Sequence, residues 1–80
     1  MQAAEIRALI EQGLPQAEVV VQGDDGVHFE AVVIDPGFVD KSMIEQHRIV
    51  FALLGDLVQN GTIHALSLKT FTPAQWQSKA

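Results

Sequence analysis

The chain is organised around TIHALSLKTFTPAQW, residues 62–76, because a short apolar strand there leads directly into a well-marked helix start. Alternation along the strand places His64, Leu66 and Leu68 on one face. The imidazole of His64 therefore begins a row that is otherwise apolar. A polar ring in that place makes His64 the first candidate for a functional residue.

The helix start after this strand carries three signals. Thr72 and Gln75 have the spacing of a T-x-x-Q capping box, and Pro73 suits the first helical position. Phe71 and Trp76 are spaced as a hydrophobic staple, which fixes the angle at which a chain enters a helix. The sequence thus predicts a strand whose end is held firmly by the helix that follows it.

A long helical region precedes the strand. Ser42 and Glu45 form a second capping box, which predicts a helix that begins near Met43. Gly55 is a candidate helix break, which would make the region two short helices instead of one long one, and the Asn60-Gly61 pair ends it. The residues expected to face the core are Ile44, His47, Phe51, Leu54 and Val58, with Ile49, Val50 and Leu57 beside them.

The first half of the chain predicts a helix followed by a β-hairpin. The helix covers residues 2–12, and we expect Gly13 to end it in the left-handed conformation. Residues 17–22 and 27–34 are rich in strand-forming residues, and the Gly23-Asp24-Asp25-Gly26 segment between them is typical of a hairpin turn. A turn at residues 35–37 then leads to the long helical region.

These elements predict one α+β domain over residues 1–80, in the order helix, strand, strand, helix, helix, strand, helix. A chain of this length cannot support two cores. The hairpin strands are antiparallel, whereas the helical crossover joins the second and third strands in parallel and with a right-handed turn. We therefore expect a three-stranded mixed sheet with helices packed on it.

The parallel pairing has a consequence for the histidines. His28 and His64 are each the second residue of their predicted strands, so in similar register their backbones pass about 5 Å apart. Two imidazoles would then meet at one rim of the sheet, beside the loop that contains Asp24 and Asp25. Neutral imidazole is a suitable ligand for zinc, iron or copper.

Two interpretations of this pair remain open. In the first, His28 and His64 are metal ligands, with an oxygen from Asp24 or Asp25 as a possible addition. Two ligands are too few for a structural zinc site, so such a centre would be shared with another molecule. In the second, His64 is a half-buried strand residue, His28 is an exposed hairpin residue, and the two acids serve only the turn.

The charge and the composition limit the classes of function. The net charge is −5, distributed as −7 over residues 1–40 and +2 over residues 41–80, which disfavours a phosphate backbone as the main partner. The chain has no cysteine, so any iron-sulfur cluster would take its sulfur ligands from a partner. No apolar run approaches the roughly 20 residues that span a bilayer, and no signal peptide is recognisable. We expect a cytoplasmic protein.

The long helix carries a candidate contact surface in the segment EQHR. His47 and Arg48 are interpreted either as an exposed contact for a partner or anion, or as a core-edge histidine beside a solvated arginine. Catalysis is not indicated, because no nucleophile, base and orienting acid are recognisable around Ser42 or Ser67. Phosphate-cradling glycine motifs are also missing from the sequence.

Three segments together resemble the BolA-like proteins. They are FVDKSMIEQHR at residues 38–48, IHA at residues 63–65 and KTFTPAQW at residues 69–76. The hairpin sequence GDDGVHF resembles the bacterial IbaG branch of that family. The resemblance extends over nearly the whole chain, and its specificity comes from the spacing of the three segments.

The resemblance implies a class II KH-like fold and a partnership with monothiol (CGFS) glutaredoxins. Family members form a heterodimer that bridges a glutathione-bound [2Fe-2S] cluster. His64 matches the family's cluster ligand ahead of the third strand, and His28 occupies the place of the second. The partner surface would include His47, Arg48 and Lys69, with no cofactor in the isolated chain and either a monomer or a weak homodimer. The function implied is iron-sulfur trafficking or the sensing of iron or stress.

An alternative comes from family members described as regulators that bind DNA. Lys41 and Arg48 would then contact the nucleic acid. The one G-x-x-G sequence of the chain, Gly23-Asp24-Asp25-Gly26, is the predicted hairpin turn and carries two acids, which disfavour the nucleic-acid backbone that KH domains hold with such a loop, and the net charge is negative. The sequence therefore favours the adaptor function over DNA binding.

Overall fold

The structure is a computed structural model that describes residues 2–23, 25–26, 28–59, 61 and 65–79. Met1, Asp24, Val27, Asn60, residues 62–64 and Ala80 lie outside the described residues, as does the side chain of Ala65. The elements are α1 (Ala3–Gly13), β1 (Glu18–Gln22), β2 (His28–Ile34), a 3₁₀ turn (Pro36–Phe38), α2 (Met43–Leu54), α3 (Asp56–Gln59), β3 (Ala65–Phe71) and α4 (Pro73–Lys79). Their order is the predicted one. None of the helices in these ranges is long and apolar enough to cross a bilayer.

The three strands form one mixed sheet in the order β1-β2-β3. β1 and β2 are antiparallel, with Glu18 opposite Ile34 and Gln22 opposite Glu30. β2 and β3 are parallel, from the pair His28 and Ala65 to the pair Ile34 and Phe71. The sheet topology predicted from the sequence is confirmed.

Both predicted capping boxes are present. The Ser42 backbone N–H donates to Glu45 Oε1 at 2.9 Å, and the Glu45 N–H donates to Ser42 Oγ at 3.1 Å. The corresponding distances between Thr72 and Gln75 are also 2.9 and 3.1 Å. After α4 begins, the Trp76 ring lies 5.2 Å from the Phe71 ring, as the staple spacing predicted. Each box satisfies a backbone donor that a helix start would otherwise leave unpaired.

The core lies between one face of the sheet and the helices α1 and α2. Its members are almost fully buried, and full burial of one such aliphatic or aromatic side chain contributes on the order of 1.5–3 kcal/mol. They are Ile6, Ile10, Val19, Phe29, Val33, Phe38, Val50 and Leu54. We call the opposite face of the sheet the outer face. It carries His28 and Glu30 from β2 and Ser67 and Lys69 from β3, and all four side chains are exposed.

The predicted core stripe of α2 is wrong in its rotation. The buried residues of this helix are Gln46, Val50 and Leu54, whereas Ile44 is 65% exposed. The rotation of the helix differs because Gln46, a polar residue, occupies a core-facing position. Its buried amide can do so because it is fully hydrogen-bonded. Of the residues predicted to face the core, Val50 and Leu54 are in it and Ile49 and Leu57 pack against it.

Two glycines of the helical segments differ in their roles. Gly55 has φ of 49° directly after α2 and separates α2 from α3, as predicted. Gly13 was expected in the left-handed conformation, but it is the last residue of α1 and is not among the glycines with positive φ. A Cβ on Gly13 would collide with the side chain of Leu53, so close approach of α1 to α2 explains the glycine.

Candidate functional site

His28 opens β2 at the edge of the hairpin loop, with its side chain 68% exposed. Its backbone N–H donates to Asp25 Oδ1 at 2.8 Å, and its Nδ1 lies 2.7 Å from Asp25 Oδ2. One carboxylate thus engages both the backbone and the ring of His28. Among the described residues, no hydrogen bond engages Nε2, the nitrogen on the other side of the ring.

Glycines shape the loop on both sides of Asp25. Gly26 has φ of 82°, a conformation that side chains rarely adopt. A Cβ on Gly23 would lie 2.5 Å from the carbonyl oxygen of His28 and 2.6 Å from the ring of Phe29. Only glycine allows the end of the first strand to approach the start of β2 this closely. Asp24, which the sequence offered as an alternative oxygen ligand, lies outside the described residues.

An open hollow of about 640 Å³ adjoins His28 on the rim of the sheet. Its polar lining combines carboxylates, an amide and a hydroxyl with the imidazole, and its apolar lining comes from the core edge. The lining residues are Gln22, Gly23, Asp25, His28, Phe29, Glu30, Leu66 and Ser67. This hollow gives a group of another molecule room beside the imidazole.

The register of β2 with β3 bears on the predicted pair of histidines. His28 is opposite Ala65, the residue that directly follows His64 in the chain. Paired strands lie about 5 Å apart, so the β3 backbone starts close to His28. His64 itself, with Thr62 and Ile63, lies outside the described residues, and its role as a ligand stays a prediction.

The residues predicted to contact a partner lie on two sides of the molecule. Lys69 is exposed on the outer face, opposite Val32 and four residues along β3 from Ala65. His47 is half-buried and Arg48 is exposed on α2, which packs on the other side of the sheet. Lys69 thus shares a face with His28, whereas Arg48 does not.

Lys41 and Arg48, the residues of the nucleic-acid alternative, flank an acid. Hydrogen bonds from the Ser42 backbone and hydroxyl lower the pKa of Glu45 below its ordinary value, and the charges of Lys41 and Arg48 lower it further. An ionised Glu45 between two cations weakens the positive field that a phosphate would meet. Nucleic-acid binding stays a prediction.

Sequence reasoning missed an apolar surface around the start of α2. Val39, Met43 and Ile44 are each more than half exposed, although Ile44 was assigned to the core. The four-residue spacing of Gln46, Val50 and Leu54 is the signal that would have revealed the true rotation, but it requires accepting a buried glutamine. Next to this surface, Lys41 and Lys79 border a cleft of about 500 Å³ between α2 and α4.

The described residues around His28 offer few donor atoms to a metal. Within the described ranges, no three His, Cys, Asp or Glu side chains are grouped so that they could hold a metal ion. His28 supplies one accessible imidazole, and a [2Fe-2S] iron accepts imidazole in place of thiolate in some proteins. The described residues therefore do not form a mononuclear metal site by themselves.

Comparison with known proteins reveals extended sequence similarity. The family model described as BolA-like protein matches residues 10–75. Acid stress protein IbaG of Escherichia coli K12 is 33% identical over 76 residues, covering 95% of this chain and 89% of IbaG. A BolA-like protein of Dictyostelium discoideum is 46% identical over 50 residues, covering 62% of this chain and 44% of that protein.

Solved structures show the same architecture. A bolA protein homologue from Coxiella burnetii superposes with a TM-score of 0.82 at 42% identity, covering 96% of this chain and 97% of the other. The BolA domain of SufE1 from Arabidopsis thaliana gives a TM-score of 0.77 at 32% identity, covering 90% and 92%. The α+β fold predicted from the sequence is confirmed by these similarities.

Proposed function

The chain belongs to the BolA-like family, and from that premise we propose that it is a non-enzymatic adaptor for iron-sulfur chemistry. It binds a monothiol (CGFS) glutaredoxin and shares with it the ligation of a glutathione-bound [2Fe-2S] cluster. His64 is the principal ligand from this chain and His28 the second. The adaptor serves iron-sulfur trafficking or the sensing of iron or stress.

The observation that carries the proposal is the exposed ring of His28 at the start of β2. Its Nδ1 is engaged by Asp25 at 2.7 Å, while the ring borders an open hollow. The strand that starts directly after His64 is paired beside it. A group bound to the ring of His28 would thus be reached from outside, as a shared cluster requires.

The thiolates must come from the partner, because this chain contains no cysteine. A cluster bound by imidazole on one side and by thiolates of glutaredoxin and glutathione on the other would meet the usual donor preferences of its irons. The presence of a BolA domain in SufE1 of Arabidopsis thaliana supports an iron-sulfur related role for the family.

The partner surface includes Lys69, which shares the outer face with His28, and Arg48, which lies on α2 on the other side of the sheet, so the partner extends around the edge of the sheet to contact both. Arg48 offers a planar fork that suits a carboxylate of the partner. The half-buried ring of His47 lies one residue away on the same helix. These residues contribute to affinity and do not ligate the cluster.

Reconstitution with a CGFS glutaredoxin, glutathione and iron tests the proposal. The complex should have a visible absorption and circular dichroism spectrum different from that of the glutaredoxin cluster alone. His64→Ala and His28→Ala should shift that spectrum back toward the glutaredoxin form, because each removes an imidazole donor. An unchanged spectrum and an intact complex in His64→Ala would refute the ligand assignment.

His47→Ala is the matched control, since it removes the third histidine of the chain without removing a proposed ligand. We expect it to weaken the complex while the spectrum of whatever complex forms stays that of the wild type. A spectral change as large as that of His64→Ala would instead indicate that His47 on α2 is a ligand.

A further inference from the structure

We propose that Asp25 is a positioning residue that presents Nε2 of His28 as the ligand atom. The inference rests on the proposed function, because it assigns a task to the second imidazole of that site. It concerns which ring nitrogen of His28 is available and what holds the ring in place.

The geometry of the Asp25 carboxylate determines the proton position on the ring. An ionised carboxylate only accepts hydrogen bonds. Oδ1 accepts the backbone N–H of His28 at 2.8 Å, and Oδ2 lies 2.7 Å from Nδ1. Nδ1 must therefore carry the proton when the imidazole is neutral. The lone pair is then on Nε2, where a metal can accept it.

The double contact also restricts the side-chain rotation of His28. A single carboxylate that holds both the backbone N–H and the ring closes a compact loop between residues 25 and 28. The close approach of Gly23 to the carbonyl of His28 keeps the start of the hairpin against the same residue. The ring would otherwise rotate freely, since its side chain is 68% exposed. A ring that is already fixed loses less conformational entropy when it binds a metal.

This arrangement corresponds to the way proteins orient histidine ligands of metals. A ligating imidazole generally donates its other N–H to a carboxylate or carbonyl, which sets the tautomer and makes the ligating nitrogen more basic. Here the carboxylate is that of Asp25 in the hairpin turn, for which the sequence predicts either a role in the turn alone or an oxygen ligand. Asp25 instead serves the turn and the ring together.

Asp25→Asn gives the sharpest test. Asparagine keeps the shape of the aspartate side chain, but it replaces one of the two acceptor oxygens with an NH₂ donor. The His28 backbone N–H can only donate, so the carboxamide oxygen must face it and the NH₂ must face Nδ1. Nδ1 then becomes an acceptor, and the proton moves to Nε2. The same exchange of acid for amide is known to impose the wrong tautomer on a catalytic histidine.

The readout is the pair of imidazole ¹⁵N chemical shifts of His28 in the isolated protein, measured at about pH 9, where an ordinary imidazole is neutral. His47→Gln and His64→Gln variants identify the His28 signals. Wild type should show protonated Nδ1, Asp25→Asn protonated Nε2, and Asp25→Ala a mixture. An Asp25→Asn protein with the wild-type tautomer overturns the inference, and so does an Asp25→Ala protein with no mixture.

Glu30→Gln is the matched control. Glu30 lines the same hollow and lies on β2, and its change to glutamine removes the same unit charge without touching the ring hydrogen bond. It should keep the wild-type tautomer. A tautomer change in Glu30→Gln would show that net charge, and not the Asp25 contact, sets the proton position.

The glutaredoxin complex provides the second measurement. Loss of the carboxylate should reduce retention of the cluster against a chelator by about 10- to 100-fold in Asp25→Asn, as is typical when such a supporting residue is removed. Equal retention in Asp25→Asn and Glu30→Gln overturns the positioning role. Because the tautomer is read in the isolated chain, its result stands whether or not a cluster-bridged complex forms, so failure of the inference and failure of the proposed function are distinguishable.

Discussion

Gln46 is the residue that connects three separate parts of the molecule. Its Nε2 donates to the carbonyls of Phe38 at 3.3 Å and Lys41 at 2.9 Å, and its Oε1 accepts the Thr70 hydroxyl at 2.7 Å. The side chain thus joins α2 to the loop before it and to β3. In the low dielectric of the core these bonds are strong when complete and costly when one partner is removed.

Thr70→Val should destabilise the fold by about 1–3 kcal/mol, because it leaves the buried Oε1 of Gln46 without its donor. Urea unfolding followed by circular dichroism measures the loss. Thr70→Ser is the control, since it keeps the hydroxyl and removes only a methyl group. In a double-mutant cycle with Gln46→Leu, a coupling energy near zero would show that this hydrogen bond adds nothing to stability.

At the start of α2, hydrogen bonds and nearby charges favour the ionised form of Glu45. Glu45 accepts the Ser42 backbone N–H at 2.9 Å, and this bond is the largest cause of its lowered pKa. The ionised carboxylate also lies favourably at the positive end of the helix. The helix start is therefore stabilised by the charged form of Glu45 and not by the protonated form.

Glu45→Gln should reduce stability at pH 7 and have little effect in acid. A carboxyl whose pKa is lower in the folded state than its ordinary value of 4.5 contributes stability above that value. The contribution is lost as the pH falls from 4.5 through the folded-state pKa. Unfolding midpoints of wild type and Glu45→Gln should therefore converge toward low pH. A constant difference between pH 7 and pH 3 would show that the charge is not the stabilising feature.

Elements were predictable where their signals are local. The capping boxes at Ser42 and Thr72 and the glycine break at Gly55 each depend on a few neighbouring residues, and all three are confirmed. The rotation of α2 was not predictable in this way, because the buried place of Gln46 depends on Thr70, 24 residues away in the chain. The glycine at position 13 is likewise explained by a distant residue, because a Cβ there would collide with the side chain of Leu53 on another helix.

At the scale of the whole molecule, the sheet topology was predictable but the pairing of particular residues was not. The crossover between β2 and β3 requires parallel strands, and this is confirmed. Register depends on side-chain packing across the sheet, and a shift of one residue exchanges the two faces. His28 is opposite Ala65, whereas equal positions in the two predicted strands would have placed it opposite His64.

The charge distribution bears on whether the whole molecule binds protein or nucleic acid. The cations Lys41, Arg48, Lys69 and Lys79 all belong to the second half of the chain, but they extend from α2 across β3 to α4. Lys79 lies 5.1 Å from the centre of the Phe71 ring, and Lys41 and Arg48 flank Glu45. A surface of this kind can contact only a few phosphates at once, which limits affinity for DNA.

We therefore expect weak binding of duplex DNA with a shallow dependence on salt. If Lys41 and Arg48 each neutralise one phosphate, the slope of log K against log salt is about −2. Fluorescence anisotropy with a labelled duplex measures it for wild type, Arg48→Ala and Arg7→Ala. Arg7 is the matched control because it is an exposed arginine paired with Glu11 at 3.4 Å on α1, in the acidic half of the chain. A slope steeper than about −5, lost in Arg48→Ala and kept in Arg7→Ala, would favour the nucleic-acid function over the adaptor, since only an extended phosphate-binding surface produces such a slope.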